Sequence, residues 1–459
     1  MRSIIPIILL SISISSCAVF KPGSGDRKYR SIQKEVERST VFAKSFSGML
    51  VMDPESGKTL VNYNGDKLFI PASNTKILTL ATCLSVLQDS VPGIKIASRI
   101  EQGDTTGYYA PTGDPTFLHP LFKAWQPVQK HLKSLEGWNY ILLNTLQEDR
   151  FGPGWAWDDY AEPYSVERSS MPIFGNKVRL KKSGNGWALE PDILDDVISG
   201  IREGFDNAKT GLSPQRDESD NVYYIPYPDT ISNGYSHDFP IHRPENLIPS
   251  LRDTLGDKFF PFVSWTEEEK QQENDLLNSL NWQTINSCPL DTVLRLMMYQ
   301  SDNFVAEQLL LLCGGVKFDI LGQDSIIHWV SDSLLTEFPQ KPRWVDGSGL
   351  SRYNLLSPQD LAYVLQYLWK SQTKERLFDV FPAGGQDGTI QDWYKGANGQ
   401  PYVYAKSGSM SGVQNLSGYL VCKSGKVLIF SFMHNNFTGS GKAWKLEMQQ
   451  ILEKLAQLE

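Results

Sequence analysis

The stretch Phe69-Ile70-Pro71-Ala72-Ser73-Asn74-Thr75-Lys76-Ile77-Leu78-Thr79-Leu80-Ala81 decides how the rest of the chain is read. Behind a proline and a small residue, the apolar positions Ile77, Leu78, Leu80, Ala81, Leu84 and Leu87 recur at helical spacing, which predicts a helix starting at Ser73. Lys76 falls one turn further on. Residues three apart share a helix face, so its amine reaches the Ser73 hydroxyl, and burial favours the neutral form that can accept a proton. The free N–H groups of a helix start can also serve a developing oxyanion. Ser73 therefore reads as an acylatable serine and Lys76 as its proton acceptor.

Ser-x-x-Lys is a permissive pattern, and it recurs at Ser31 to Lys34 and at Ser371 to Lys374. Context separates the copies. The first lies in a charged stretch near the N-terminus and the last follows the end of a helical pattern. Only the Ser73 copy opens an apolar helix able to hold a lysine out of water.

The chain has 459 residues, 41% of them hydrophobic and 21% charged, which describes a folded protein larger than one ordinary domain. Its net charge of −8 argues against a nucleic-acid partner. Arg2 followed by the apolar run Ile4 to Ile14 has the form of a short secretory h-region, and Ile14-Ser15-Ser16-Cys17 resembles a bacterial lipobox. The expectation is that residues 1–16 form a signal peptide, that Cys17 is lipidated, and that residues 17–30 tether an exported, periplasmic body to a membrane. Cys83, Cys288, Cys313 and Cys422 are spaced too widely for a metal pattern and read as buried small apolar residues. No metal or other cofactor is expected.

Phe46 to Met52 and Thr59 to Tyr63 flank the turn Asp53-Pro54-Glu55-Ser56-Gly57 and read as a hairpin. Gly57-Lys58-Thr59 has the end of a phosphate loop but not the glycine required upstream, so the turn reading stands. Between about 96 and 275 helical periodicity fades into short strand-like runs such as Trp138 to Leu143 and Val222 to Pro226. This predicts an inserted β-rich region, 96–275, splitting a main domain of 31–95 and 276–459. Helices resume at Pro289 and flank the polar break Ser301-Asp302-Asn303, and Ser357-Pro358-Gln359-Asp360 opens another with a serine N-cap. Tyr402 to Lys406, Asn415 to Val421 and Lys426 to Met433 read as strands, and Gly441 to Leu458 as an amphipathic helix.

An active-serine site of this kind also needs a polar Ser-x-Asn loop and a Lys-Ser/Thr-Gly strand. Ser-Asp-Asn occurs at Ser219 and Ser301, and Lys-Ser/Thr-Gly at Lys182, Lys209, Lys406 and Lys423. Setting chooses among them. Ser301-Asp302-Asn303 sits between apolar helices, and Lys406-Ser407-Gly408 ends an apolar strand beside small residues that let substrate backbone approach. Ser219, Lys182 and Lys209 lie in polar loops of the insertion, and Lys423 is a hairpin tip. The coherent set is Ser73/Lys76, Ser301/Asn303 and Lys406/Ser407/Gly408, a combination that resembles penicillin-binding proteins and serine β-lactamases.

With Thr112-Gly-Asp114-Pro115-Thr116, Trp155 to Asp159, Asp346-Gly-Ser-Gly-Leu-Ser-Arg352 and Gly385-Gln-Asp387-Gly-Thr389, the chain from about residue 30 onward resembles the class C low-molecular-mass penicillin-binding proteins. These form the D-alanyl-D-alanine carboxypeptidase/endopeptidase family. The resemblance implies an α/β (α+β) fold: a serine β-lactamase/penicillin-binding transpeptidase-like domain with an antiparallel sheet and helices, interrupted by inserted β-rich domains. It implies Ser73 as nucleophile, Lys76 as base, Ser301 as proton relay to the leaving D-alanine and Asn303 as a ligand of the substrate amide. Lys406, Ser407 and Gly408 would receive the terminal carboxylate, and the N–H groups of Ser73 and Ser409 would form the oxyanion hole. Ser407 stands where the family usually has threonine and keeps the hydroxyl. Arg352 is a candidate for substrate contact, and Asp114 for the amine of a diaminopimelate side chain, with an Asp-Pro turn as its other reading.

The partners implied are peptidoglycan stem peptides and, as covalent inhibitors, β-lactams. The competing readings are a β-lactamase and a wall-binding lipoprotein that keeps the fold without turnover. A Ser-His-Asp hydrolase is disfavoured, because the six histidines lie in no small-residue motif and no Gly-x-Ser-x-Gly elbow is present.

Overall fold

The computed structural model describes residues 27–459 apart from 102, 144, 196–197, 199, 205–213, 226, 228–231, 263–267, 269–274 and 397–398. Cys17, the signal segment and Lys209 lie outside the described residues.

A five-stranded antiparallel sheet carries the main body, in the order Val403–Met410, Val413–Val421, Val427–Asn435, Phe46–Met52, Thr59–Tyr63. The N-terminal hairpin thus joins the C-terminal strands, with Phe46 opposite Asn435 and Met52 opposite Ile429. Strand period two explains how one strand serves two cores. Leu428, Phe430 and Phe432 face the terminal helices Arg27–Arg38 and Lys442–Leu458, while Ile429 and Met433 face a helical layer. That layer comprises Lys76–Val86, Leu290–Tyr299, Asn303–Phe318 and Pro358–Ser371. Each fully buried Leu, Ile or Phe contributes roughly 1.5–3 kcal/mol, so both faces of the sheet are strongly held.

Strand Ser90–Glu101 leaves this body and Gln283–Pro289 returns to it, paired antiparallel with Ile94 opposite Ile285. They belong to a second five-stranded sheet, and two three-stranded sheets lie between them in the chain. A separate apolar cluster including Ile94, Val178, Tyr223, Phe239 and Ile285 fills the space among these strands. The returning strand runs directly into the Leu290–Tyr299 helix, so the excursion begins and ends at one place.

Both hairpin strands span the residues read from the sequence, Phe46–Met52 and Thr59–Tyr63. Three local readings need correction. Residues 27–30, placed in a tether, begin the Arg27–Arg38 helix, whose Tyr29, Ile32 and Val36 are buried against the sheet's outer layer. Lys182 and Ser183 lie in the strand Lys177–Ser183 rather than in a loop. Lys406-Ser407-Gly408 does not end its strand, which runs on to Met410. The polarity of these stretches hid them, because each element is amphipathic with only part of its residues buried.

Candidate active site

Ser73 sits in a single 3-10 turn, Ala72–Thr75, and the α-helix proper begins at Lys76. Side chains of the sheet hold the approach to this turn. Asn415 Nδ2 donates to the Ile70 and Pro71 carbonyls at 3.0 and 2.8 Å, Asn435 Oδ1 accepts from Ile70 N at 2.6 Å, and Asn74 Nδ2 donates to Ser417 Oγ at 2.6 Å. Ala72 is left at φ 47°, a left-handed conformation that surrounding contacts must impose. Gly349, at φ 82°, lies so close that a Cβ there would fall 1.9 Å from the Ala72 carbonyl oxygen.

Lys76 is fully buried, and its Nζ makes three contacts: Ser73 Oγ at 3.1 Å, Asn303 Oδ1 at 2.7 Å and the Ser348 carbonyl at 2.7 Å. Burial pulls its pKa down to about 8, against the opposing pull of Asp302, Asp346 and Glu307. An amine with that value is partly neutral near pH 8 while still touching the serine hydroxyl, which is the condition for a general base.

Ser301 and Asn303 come from the junction of two helices. Ser301 has φ 57°, and Asp302 caps the following helix by accepting from Val305 N at 2.9 Å. This turn sends the Ser301 hydroxyl to Lys406 Nζ at 2.9 Å, and Asn303 Nδ2 to the Tyr164 carbonyl at 3.0 Å. Lys406 is also fully buried, and its pKa falls well below the usual lysine value through desolvation and then the nearby Lys76. Two buried amines, each bound to a serine, thus flank one site.

The strand bearing Lys406 packs against the serine turn. A Cβ on Gly408 would lie 2.5 Å from the Pro71 carbonyl oxygen and 2.7 Å from Asn74 Oδ1, so only glycine permits this approach. Ser407 points its hydroxyl at Thr389 Oγ1, 2.6 Å away. Ser409 Oγ donates to Gln414 Oε1 at 3.1 Å.

A cleft of about 440 Å³ opens over these groups, lined by Ser73, Ser301, Asn303, Arg352, Ser409 and by Asp159 and Tyr164 from the inserted region. Arg352 reaches the Ser411 carbonyl at 3.3 Å. The structure does not bring Asp114 to this cleft. Its Oδ1 accepts from the N–H and hydroxyl of Thr116, both at 2.8 Å, and burial raises its pKa to about 6, as suits an Asp-Pro turn. The acid that does line the cleft is Asp159, whose Oδ1 accepts from the Tyr164 hydroxyl at 2.7 Å.

Asp159, Ser348 and Thr389 lie within the motif stretches, but their parts in the site appear only in three dimensions. A pattern of residue types gives no notice that Lys76 would bond a backbone carbonyl. Asp346, the first residue of the Asp346 to Arg352 motif, is a hub: it accepts from Gly349 N, Ser351 N, Asn354 Nδ2 and Trp155 Nε1 at 2.7–3.1 Å. None of the six histidines lines the cleft. Among the described residues no group of three or more His, Cys, Asp or Glu could hold a metal, and no helix is long and apolar enough to cross a membrane. Cys83, Cys288, Cys313 and Cys422 are free and buried.

The family model described as D-Ala-D-Ala carboxypeptidase 3 (S13) matches residues 30–193 and 266–458. The D-alanyl-D-alanine carboxypeptidase DacB of Haemophilus influenzae is 34% identical over 424 residues, 85% of this chain and 86% of the relative. A D-alanyl-D-alanine carboxypeptidase of an Actinomadura species is 24% identical over 433 residues, 86% of this chain and 78% of the relative. In three dimensions, the crystal structure of penicillin binding protein 4 of H. influenzae superposes with a TM-score of 0.70 at 19% identity, covering 94% of this chain and 99% of that one. The same protein complexed with a β-lactam gives 0.63 at 19% identity, covering 93% and 98%. The fold is therefore the mixed α/β fold of penicillin-binding proteins, and the chain belongs to the D-Ala-D-Ala carboxypeptidase 3 (S13) family.

Proposed function

We propose that this serine peptidase hydrolyses the terminal D-alanyl-D-alanine bond of peptidoglycan stem peptides through an acyl-enzyme on Ser73, and that β-lactams acylate the same oxygen. Lys76 takes the Ser73 proton as Oγ bonds to the substrate carbonyl carbon. The C–N bond then breaks, and Ser301, bound to Lys406, passes a proton to the departing D-alanine nitrogen. Water releases the acyl group in a second step. Splitting one amide hydrolysis into two transfers lowers each barrier.

The observation that carries this reading is the buried Lys76 amine, 3.1 Å from Ser73 Oγ and held by two other acceptors. The N–H groups of Ser73 and Ser409 serve as the oxyanion hole, where one donor is worth about 3–4 kcal/mol. Lys406, Ser407 and Thr389 receive the terminal carboxylate beside Gly408, with Arg352 lining the same cleft. The anionic partner for a cationic substrate side chain is Asp159 rather than Asp114, because Asp159 lines the cleft.

We further assign the insertion to the excursion bounded by the paired strands Ser90–Glu101 and Gln283–Pro289, somewhat wider than the expected 96–275, and the rest of the chain from Arg27 onward to the peptidase body. Residues 1–16 act as a leader, and Cys17 anchors an enzyme that works outside the cytoplasm. Both carboxypeptidase and endopeptidase cleavage belong to this site. The test is release of D-alanine from a wall pentapeptide. Release that vanishes in Ser73→Ala supports the reading, whereas binding of wall peptide with no release favours a catalytically silent binder.

A further inference from the structure

The carbonyl that accepts from Lys76 Nζ belongs to Ser348, and that residue is held from the opposite side. Its N–H donates to Glu307 Oε1 at 2.8 Å. Glu307 lies one turn beyond Asn303 on the same helix, so one helix supplies an acceptor for Lys76 directly and a support for its neighbouring acceptor. The second Glu307 oxygen accepts from Gln323 Nε2 at 2.6 Å and faces Arg168 Nε at 3.7 Å. The side chains of Glu307 and Arg168 are 1% and 2% exposed, and a buried charge left without a partner is costly. Arg168 comes from the inserted region and also pairs with Glu148. The turn is fixed elsewhere too, by Thr79 Oγ1 donating to the Gly347 carbonyl at 2.6 Å and by the Asp346 hub. Neither Glu307 nor Arg168 lines the cleft, so neither meets substrate there.

We propose that Glu307 is a positioning residue for the lysine base: it fixes the Ser348 peptide, which aims Lys76 Nζ at Ser73 Oγ, and Arg168 of the inserted region supplies its counter-charge. This rests on Lys76 being the base. The charged groups bearing on Glu307 are Arg168, Asp346 and Lys76, with Asp302 and Lys406 acting on Lys76 and Glu148 acting on Arg168. Charge and reach are separable. Glu307→Gln keeps an oxygen for the Ser348 N–H and removes the negative charge. Glu307→Asp keeps the charge and withdraws the oxygen.

The experiment is the rate constant of acylation by a fluorescent penicillin per acylatable site, from pH 6 to 10, with thermal unfolding measured alongside. Glu307→Gln is expected to move the acid-side inflection of the profile about one unit to lower pH, because a lost neighbouring anion favours the neutral amine. Glu307→Asp is expected to leave the inflection and lower the plateau about tenfold or more, since small displacements of a catalytic group are costly. Variants with fewer acylatable sites, but wild-type rate constant and inflection per site, would overturn the proposal in favour of a merely structural glutamate. Wild-type protein that forms no Ser73 adduct would instead overturn the catalytic reading beneath it.

Discussion

Two lysines with no exposed surface share this site, Lys76 with three hydrogen bonds and Lys406 with two. Burial pushes both amines toward neutrality, and the nearby Lys76 lowers Lys406 further. For Lys76 the sign of the consequence is definite. Its protonated form predominates below its pKa of about 8 and has no lone pair for the Ser73 proton. Acylation by a β-lactam is therefore expected to slow as pH falls below about 8, roughly tenfold per unit well below it, as stopped-flow or quench measurements across pH would record. A flat profile between pH 6 and 9 would assign the proton to another acceptor. Asp346 shows the same physics in an acid, pushed up to about 6 by burial and by Glu307 while four donors hold it in place.

At the scale of elements, the site is a meeting of one turn, one helix junction and one strand, joined by side chains, Lys76 to Asn303 and Lys406 to Ser301. Gly408 is where the strand meets the turn. Gly408→Ala would put a methyl 2.5 Å from the Pro71 oxygen, so the strand must retreat from Ser73. The expected result is a loss of acylation rate of about a hundredfold, since displacement of a reacting group by about 1 Å costs that much, together with a lower unfolding temperature from an overpacking cost of about 1–3 kcal/mol. Motif order made this meeting legible. Ser73/Lys76, Ser301/Asn303 and Lys406 could be selected from their decoys because apolar periodicity told which copies adjoin buried elements. The acceptors that hold Lys76 were not legible in the same way. Ser348 contributes a carbonyl, which every residue has, and Asp114 and Asp159 look alike until the fold buries one behind Thr116 and turns the other toward the cleft.

For the whole molecule, the sheet is completed by strands from opposite ends of the chain, and the inserted region leaves and returns through one paired ribbon. The change of texture near 96 and 275 reflected loss of helical periodicity, whereas the chain already extends at Ser90 and pairs until Pro289, because a strand pair with mixed residues carries a weak signal. That excursion supplies Tyr164 and Asp159 to the cleft and Arg168 to Glu307, so it is part of the site as well as its neighbour. All of this geometry converges on one oxygen atom, and the most direct measurement is intact mass of protein lacking residues 1–17, with and without benzylpenicillin, beside Ser73→Ala. The account requires a single long-lived penicilloyl adduct that is absent from the variant. A folded wild-type protein that gains no mass, or a Ser73→Ala protein that still gains it, would contradict the account.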